Sequence, residues 1–208
     1  ALLKNADVGS KVFFGRYEQD NDTSNGKEDI EWIVLAKEDG RILVISKFGL
    51  DYQPFNTERA DVTWDTCTLR RWLNSTFINT AFSPEERRMI PVVTIETEKN
   101  IRQNSSFFCP TEDRAFLLTI NEAKEYFPSD GVRACKPTPA AAAIAESASL
   151  RNDGYAYWWL RSQGYRRYDT VPVVDPDGSL CFGDRGEMWV NSEGWGAVRP
   201  AMWISLEE

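Results

Sequence analysis

Short apolar segments separated by polar turns occupy the N-terminal part of the chain. Val, Ile and aromatic residues are concentrated in residues 11–18, 30–37 and 42–47, and Asp, Asn and Gly lie between them. Apolar segments of this length, bounded by turn-forming residues, are typical of β-strands. The pattern predicts a three-stranded antiparallel meander.

The period of the apolar positions changes over residues 67–82. Leu69, Trp72, Leu73 and Phe77 follow one another at one-, three- and four-residue steps that place them on one face of a helix. This stretch is the strongest helix prediction in the chain.

A second, short helix is predicted to begin directly afterwards. Ser83 can cap it, Pro84 suits its first position, and Glu86 stands three residues after the cap. Together these residues satisfy or remove the free N–H groups at a helix start.

The middle of the chain gives weaker signals. Residues 90–96 and 115–119 are predicted strands, residues 99–113 a polar surface loop, and Asn121 the cap of a helix that ends at Tyr126. The alanine-rich residues 140–148 favour a helix by propensity, although Ile144 is their only large apolar residue.

Short strands predominate in the last third of the chain. Residues 155–162, 171–174, 180–183, 188–191 and 198–206 fit this pattern, and residues 175–178 (Asp-Pro-Asp-Gly) predict a hairpin turn. Strands, then helices, then a strand-rich end indicate one α+β domain spanning residues 1–208.

Composition excludes several classes of function. The chain has 208 residues, 42% of them hydrophobic, and a net charge of −8 without a basic run, which disfavours a nucleic-acid partner. No apolar run approaches the roughly 20 residues that span a bilayer, so we expect no membrane insertion.

Metal and thiol chemistry are restricted by residue type. The chain has no histidine, and Cys67, Cys109, Cys135 and Cys181 lie far apart, so a structural zinc site is excluded. The sequence leaves open whether the four cysteines form two disulfides or are four buried free thiols.

The usual catalytic sets are missing from the sequence. Without histidine there is no Ser-His or Cys-His system, and no G-x-S-x-G, S-x-x-K or P-loop motif occurs. The pairs Glu85–Glu86 and Asp175–Asp177 could act as a glycosidase acid and base, or be solvated acids of a helix start and a turn. We therefore expect a protein that is not an enzyme.

One acidic loop has a spacing similar to that of calcium-binding loops. Asp20, Asp22 and Ser24 offer oxygen atoms at alternate positions, and Glu31 follows eleven residues after the first. Because Gly26 comes one position late and strands flank the loop, a solvated hairpin turn is the alternative to calcium binding.

Three glycine-containing stretches near the C-terminus, residues 163–169, 183–187 and 191–196, contain loops with the composition of a binding surface. Tyr and Trp offer large contact areas at a low entropic cost, and Arg, Asp and Asn add directed hydrogen bonds. The alternative is that these are ordinary polar loops. The candidate ligand-binding residues are Tyr165, Arg166, Tyr168, Asp184, Arg185, Trp189, Asn191 and Trp195.

Other residues of this region are predicted to support the scaffold. If Trp158 and Trp159 lie on a strand, one enters the core and the other faces outward or into another layer. Arg161 and Arg199 lie within aromatic strands, where an unpaired charge is costly, so we expect them to stack on tryptophans or bind carboxylates.

An ordered set of motifs extends over most of the chain. The motifs are Ile30-Glu31-Trp32, Trp64, Cys67-Thr68-Leu69-Arg70, Trp72-Leu73-Asn74, Ala81-Phe82-Ser83, Phe116-Leu117-Leu118, Trp159-Leu160-Arg161-Ser162 and Val198-Arg199-Pro200-Ala201. In combination, they resemble a family of bacterial domains of unknown function found in Gram-positive gut anaerobes.

The strand-rich ending of that family is similar to the C-type lectin-like fold of formylglycine-generating enzymes. The resemblance implies an α+β fold of antiparallel sheets with a few short helices, and loops that present ligand-contacting side chains. Neither the paired catalytic cysteines nor the lectin calcium motifs are found here, since Cys135 and Cys181 lie in unrelated contexts.

We therefore expect a non-catalytic domain that binds or displays a ligand, either a protein or a carbohydrate. A divergent oxidase or carboxylate hydrolase, and a structural accessory domain of a larger surface protein, are the alternatives. An extracellular or cell-surface location is favoured over a cytoplasmic one.

Overall fold

Two five-stranded sheets organise the protein. The computed structural model describes residues 3–98 and 110–207. The strands of this part are β1 (Lys11–Tyr17), β2 (Glu28–Glu38), β3 (Arg41–Ser46), β4 (Asp51–Tyr52), β5 (Val93–Ile95), β6 (Thr111–Asp113), β7 (Ala115–Phe116), β8 (Tyr157–Trp159), β9 (Thr170–Val171), β10 (Val173–Val174), β11 (Leu180–Cys181), β12 (Met188–Trp189), β13 (Gly196–Val198) and β14 (Ala201–Ser205).

The helices are short. They are α1 (Thr68–Trp72), α2 (Ile78–Ala81), α3 (Pro84–Met89), α4 (Ile120–Tyr126), α5 (Asp130–Arg133) and α6 (Pro139–Ile144), with a π-helical turn at Leu73–Phe77 and 3-10 turns at Leu3–Asn5, Ser147–Ser149 and Gly183–Arg185. Within the described residues, no helix combines the length and apolar character needed to cross a membrane.

The first sheet contains the predicted N-terminal meander. Strands β1, β2 and β3 pair antiparallel, and the order of the sheet is β1-β2-β3-β14-β7. Strand β14 thus lies between β3 and β7, with Ala201 opposite Ile45 and Phe116. The last strand of the chain completes the sheet that the first three begin.

The predicted helix over residues 67–82 is confirmed, with a π-helical turn between α1 and α2. Leu69, Leu73 and Phe77 are buried on one face, as the apolar period requires. The start of α3 is also confirmed, because Ser83 and Glu86 form a reciprocal capping box.

Two local predictions were wrong. Thr119, not Asn121, caps α4, because the Thr119 hydroxyl accepts the Glu122 N–H and the Glu122 carboxylate returns to the Thr119 N–H. Residues 111–113, predicted as part of a loop, form β6 against β5 and bury Asp113. The rest of that predicted loop, residues 99–109, lies outside the described residues.

The second sheet has the order β11-β10-β8-β13-β4 and places β8 at its centre. Its pairs are antiparallel except β8 with β13, which is parallel. Trp158 and Trp159 on β8 are both fully buried, so this sheet is covered on both faces. The Trp159 indole lies where a side chain of Gly196 would stand, 2.2 Å from an ideal Cβ, so β13 requires glycine there.

Arg161 and Arg199 follow β8 and β13 and do not lie within strands as predicted, but they are held in the two ways that the sequence predicts. Arg161 forms an ion pair with Glu122 at 2.6 Å. Arg199 donates to the Ser46 carbonyl at 2.8 Å and stacks on the rings of Trp158 and Phe127, 4.9 and 5.0 Å from their centroids. Both side chains stabilise the scaffold behind the C-terminal loops.

Candidate functional site

Two of the three predicted binding loops, residues 165–168 and 183–187, are tied to each other. One carboxylate oxygen of Glu187 accepts the backbone N–H groups of Tyr165 at 2.6 Å and Gly183 at 3.1 Å. Arg166 and Asp184 form an ion pair across the same two loops. Some of the residues predicted to contact a ligand therefore hold the two loops in place.

Trp189 lies beside these loops in a cluster of arginines. The guanidinium groups of Arg59 and Arg167 stand 3.6 and 5.0 Å from its ring centroid. Both arginines bind Asp169, and hydrogen bonds from Arg167 and then Arg59 lower the pKa of Asp169 to about 2. Sequence reasoning missed Arg59, because it lies 110 residues from Asp169.

The other predicted ligand-binding residues near Trp189 differ in exposure. Tyr168 is half-buried and its carbonyl accepts the Val62 N–H at 3.1 Å, whereas Arg185 and Asn191 are exposed. Trp189 itself is 39% exposed, which leaves part of the indole open to a ligand.

The third predicted loop, residues 191–195, packs against a different part of the chain. The carbonyl of Gly194 accepts the Glu146 N–H at 2.8 Å and the Ser149 hydroxyl at 3.1 Å. These bonds fix the next residue, Trp195, which is 37% exposed and lies 6.5 Å from Tyr157 between ring centroids. Tyr157 on β8 and Trp195, directly before β13, thus form an aromatic pair.

A concave site of about 320 Å³, here called the hollow, opens next to this pair. Tyr157 lines it together with Arg151, Asp175, Pro176 and Asp177. The two carboxylates come from the β10–β11 hairpin turn that the sequence predicts. The hollow therefore combines an aromatic face with charged hydrogen-bonding groups.

The two aspartates have different environments although they belong to one turn. The Asp177 N–H donates to the Asp175 carboxylate at 2.8 Å, and the Asp177 carboxylate accepts the Ser179 N–H at 2.7 Å. Burial raises the pKa of Asp175, whereas the neighbouring Asp175 carboxyl, followed by the Ser179 N–H, lowers the pKa of Asp177 to about 2. As the pH falls, Asp175 takes up a proton before Asp177 does.

The turn is fixed on α5 by a close approach of backbone to backbone. Gly178 has φ +90°, and an ideal Cβ there would lie 1.7 Å from the Asp130 carbonyl oxygen. The Gly178 carbonyl accepts from Arg133 at 2.9 Å. Only glycine allows this contact, which sets the position of Asp175 and Asp177 in the hollow.

The carboxylate pairs considered as a glycosidase acid and base take part in local hydrogen bonds. The Asp175 and Asp177 carboxylates accept the N–H groups of Asp177 and Ser179 within the hairpin turn, at 2.8 and 2.7 Å. In the other pair, Glu86 completes the capping box of α3 and Glu85 forms an ion pair with Arg88 at 3.3 Å. Both pairs have evident structural roles.

Three of the four cysteines, Cys67, Cys135 and Cys181, are buried free thiols. Burial raises the pKa of Cys67 to about 12 and that of Cys181 to about 11, which suppresses the reactive thiolate. Cys109 lies outside the described residues. The cysteine pair that an oxidase would use is therefore not formed between Cys135 and Cys181.

The predicted calcium loop is organised by its own hydrogen bonds. Asp20 accepts the Asp22 N–H at 2.8 Å, and Asp22 accepts the N–H and hydroxyl of Ser24 at 3.0 and 2.6 Å. Glu31 is bound to Lys47 at 3.0 Å. These bonds are typical of a hairpin turn.

A different acidic group comes together beside this loop. Within the described residues, Glu18, Asp20 and Glu28 have ligand atoms within 4.8 Å of one another. Glu31 is not part of this group, so the structure places only Asp20 of the four predicted ligands in it. Calcium binding at the loop stays a prediction.

Comparison with known proteins assigns the chain to a family. The model of a domain of unknown function, DUF6273, matches residues 39–206, most of the chain. The chain belongs to this family. No curated protein and no solved structure matches it. The DUF6273 match includes the hollow and all three C-terminal loops, and the acidic loop at residues 20–31 precedes it.

Proposed function

We propose that this DUF6273 domain is a non-catalytic binding domain that takes a carbohydrate in the hollow. The observation that carries the proposal is that Tyr157, which pairs with the exposed Trp195, lines one concave site together with Asp175 and Asp177.

Each part of the hollow suits one property of a sugar. Flat aromatic rings offer a large apolar area for the C–H face of a pyranose, at a low entropic cost. Ionised carboxylates accept hydrogen bonds from hydroxyl groups, and the Arg151 guanidinium donates to ring or hydroxyl oxygens. Since the turn and the loop are both fixed by backbone contacts, ligand binding needs little ordering of the protein.

We further propose that the fold is C-type lectin-like and that the domain works outside the cell or at its surface. Two mainly antiparallel sheets, short helices and binding loops in the C-terminal half support this proposal. A carbohydrate ligand of a bacterial surface domain is consistent with the same setting.

The test uses a glycan array followed by titration calorimetry with the best glycan. Trp195→Ala removes the exposed ring that pairs with Tyr157 beside the hollow, and Asp177→Asn removes a charge of the hollow with little change of shape. Trp189→Ala is the matched control, because Trp189 is exposed to a similar extent, 39% against 37%. We expect Trp195→Ala to weaken binding at least tenfold and Trp189→Ala to leave it unchanged.

Three results would contradict the proposal. If the domain binds no glycan on the array, the result would favour a structural accessory domain. Loss of binding with Trp189→Ala alone would move the site to the loops of residues 165–168 and 183–187. Release of new reducing ends from a bound oligosaccharide would show that the domain is an enzyme.

A further inference from the structure

A second concave surface lies on the edge of the first sheet, beside β1. This groove has a volume of about 280 Å³ and apolar walls formed by Phe13, Phe48, Pro137 and Pro139. Phe13 is 59% exposed, far more than the aromatic rings around it in β1. An exposed aromatic ring beside prolines in a concave groove offers apolar contact area to a partner.

The position of Phe13 follows from the geometry of β1. Val12 and Phe14 point into the core, so Phe13 must point to the opposite face. The register of β1 with β2 shifts between Phe13 and Arg16, at a bulge where Gly15 has φ +71°. Bulges of this kind re-aim side chains next to functional surfaces.

Acidic side chains form one rim of the groove. Asp29 and Glu31 line it but are neutralised by Arg16 and Lys47, both at 3.0 Å. Asp20 and Glu28 also line it, and no Lys or Arg among the described residues forms an ion pair with either of them.

The charge at this rim is concentrated. Asp20 and Glu28 lie with Glu18 in the acidic group described above. One carboxylate oxygen of Glu18 is shielded from solvent and has no hydrogen-bond partner among the described residues. Burial, followed by the charges of Glu28 and Asp20, raises the pKa of Glu18. A positive group beside Asp20 and Glu28 would offset the charges of these two rim carboxylates.

We propose that the groove binds a basic segment of a partner protein, in which Lys or Arg alternates with apolar residues. The apolar side chains pack on Phe13, Phe48 and the prolines, and the cations reach the Asp20 and Glu28 carboxylates. A cation above an exposed aromatic ring adds to this attraction. The net charge of −8 favours the approach of a basic partner. This surface shares no residue with the hollow, so it is independent of the carbohydrate proposal.

The test measures fluorescence anisotropy of labelled hexapeptides with the full chain. In one set Lys alternates with Leu, Phe or Pro, and in matched sets Gln or Glu replaces each Lys. We expect members of the Lys set to bind, the Gln set to bind at least tenfold more weakly, and the Glu set not to bind. Binding should weaken as salt is raised from 50 to 500 mM, because the carboxylates are exposed to screening.

Variants locate the binding. Phe13→Ala, at an exposed position, should weaken binding at least tenfold, and Asp20→Asn several-fold. Val92→Ala and Glu125→Gln remove an exposed apolar side chain and an exposed charge elsewhere and should have no effect. No binding of the Lys set at 1 mM protein, equal binding of the Gln set, or full binding to Phe13→Ala would each overturn the proposal.

Discussion

The ion pair of Arg161 gives the sharpest test of what stabilises the scaffold. Its guanidinium donates to both oxygens of Glu122, at 2.6 and 2.9 Å, and to the carbonyls of Leu117 and Glu96, at 2.5 and 2.7 Å. The Arg161 side chain is 2% exposed and that of Glu122 is 29% exposed. Replacing Glu122 by Ala leaves a buried cation with only carbonyl partners.

The expected loss follows from these contacts. Removing one partner of a buried ion pair costs about 3–5 kcal/mol, and water can reach the Glu122 position, so the lower end applies. The variant also loses the carboxylate that accepts the Thr119 N–H in the capping box of α4. We expect Glu122→Ala to lower the free energy of unfolding by about 3 kcal/mol, or the Tm by roughly 6–12 °C.

Urea unfolding followed by tryptophan fluorescence measures this loss. Glu125→Ala, an exposed position on the same helix, is the control and should change stability by less than about 0.5 kcal/mol. A double variant with Arg161→Met should lose less than the sum of the two single variants, since the buried charge is then gone. A loss below about 1 kcal/mol in Glu122→Ala would refute the reasoning.

Two further predictions concern the turn and the arginine cluster. In urea unfolding, Gly178→Ala should lower the free energy of unfolding by about 1–3 kcal/mol more than Gly26→Ala. Both glycines have φ +90°, but only a side chain at Gly178 would clash, with the Asp130 carbonyl. Equal losses in the two variants would contradict this close approach. Asp169 has a folded-state pKa of about 2, below its ordinary value of 3.8. Its ion pairs should therefore stabilise the protein above pH 4, and this stabilisation should be lost as the pH falls towards 2. Unfolding measured from pH 2 to 5 should therefore depend less on pH in Asp169→Asn, and an unchanged dependence would show that the arginines do not hold Asp169.

The sequence was most informative where the interacting groups are neighbours along the chain. The capping box of Ser83 and Glu86 and the apolar face of Leu69, Leu73 and Phe77 are set within a few residues, so their spacing predicts them. The hairpin turn at residues 175–178 is predictable for the same reason.

Contacts between distant residues could not be predicted in this way. Asp113 was assigned to a polar loop, yet it is buried because Trp64 and Arg70 bind it, 49 and 43 residues away. The separation of the third C-terminal loop from the other two was not predicted either, since it depends on Trp195 joining Tyr157, which lies on a neighbouring strand of the second sheet. Side-chain composition indicated which residues can bind, but only the pairing of strands decides which of them share a site.

The place of β14 in the first sheet has a consequence for how the chain folds. During synthesis, the β1–β2–β3 meander emerges first, but its inner edge stays open until Ala201–Ser205 arrives, more than 150 residues after Ile45. Such distant pairing lowers the folding rate, because loop closure precedes the gain from the contact. The inner edge of the meander therefore stays unpaired for most of translation, and the protein is most prone to misassembly during this period.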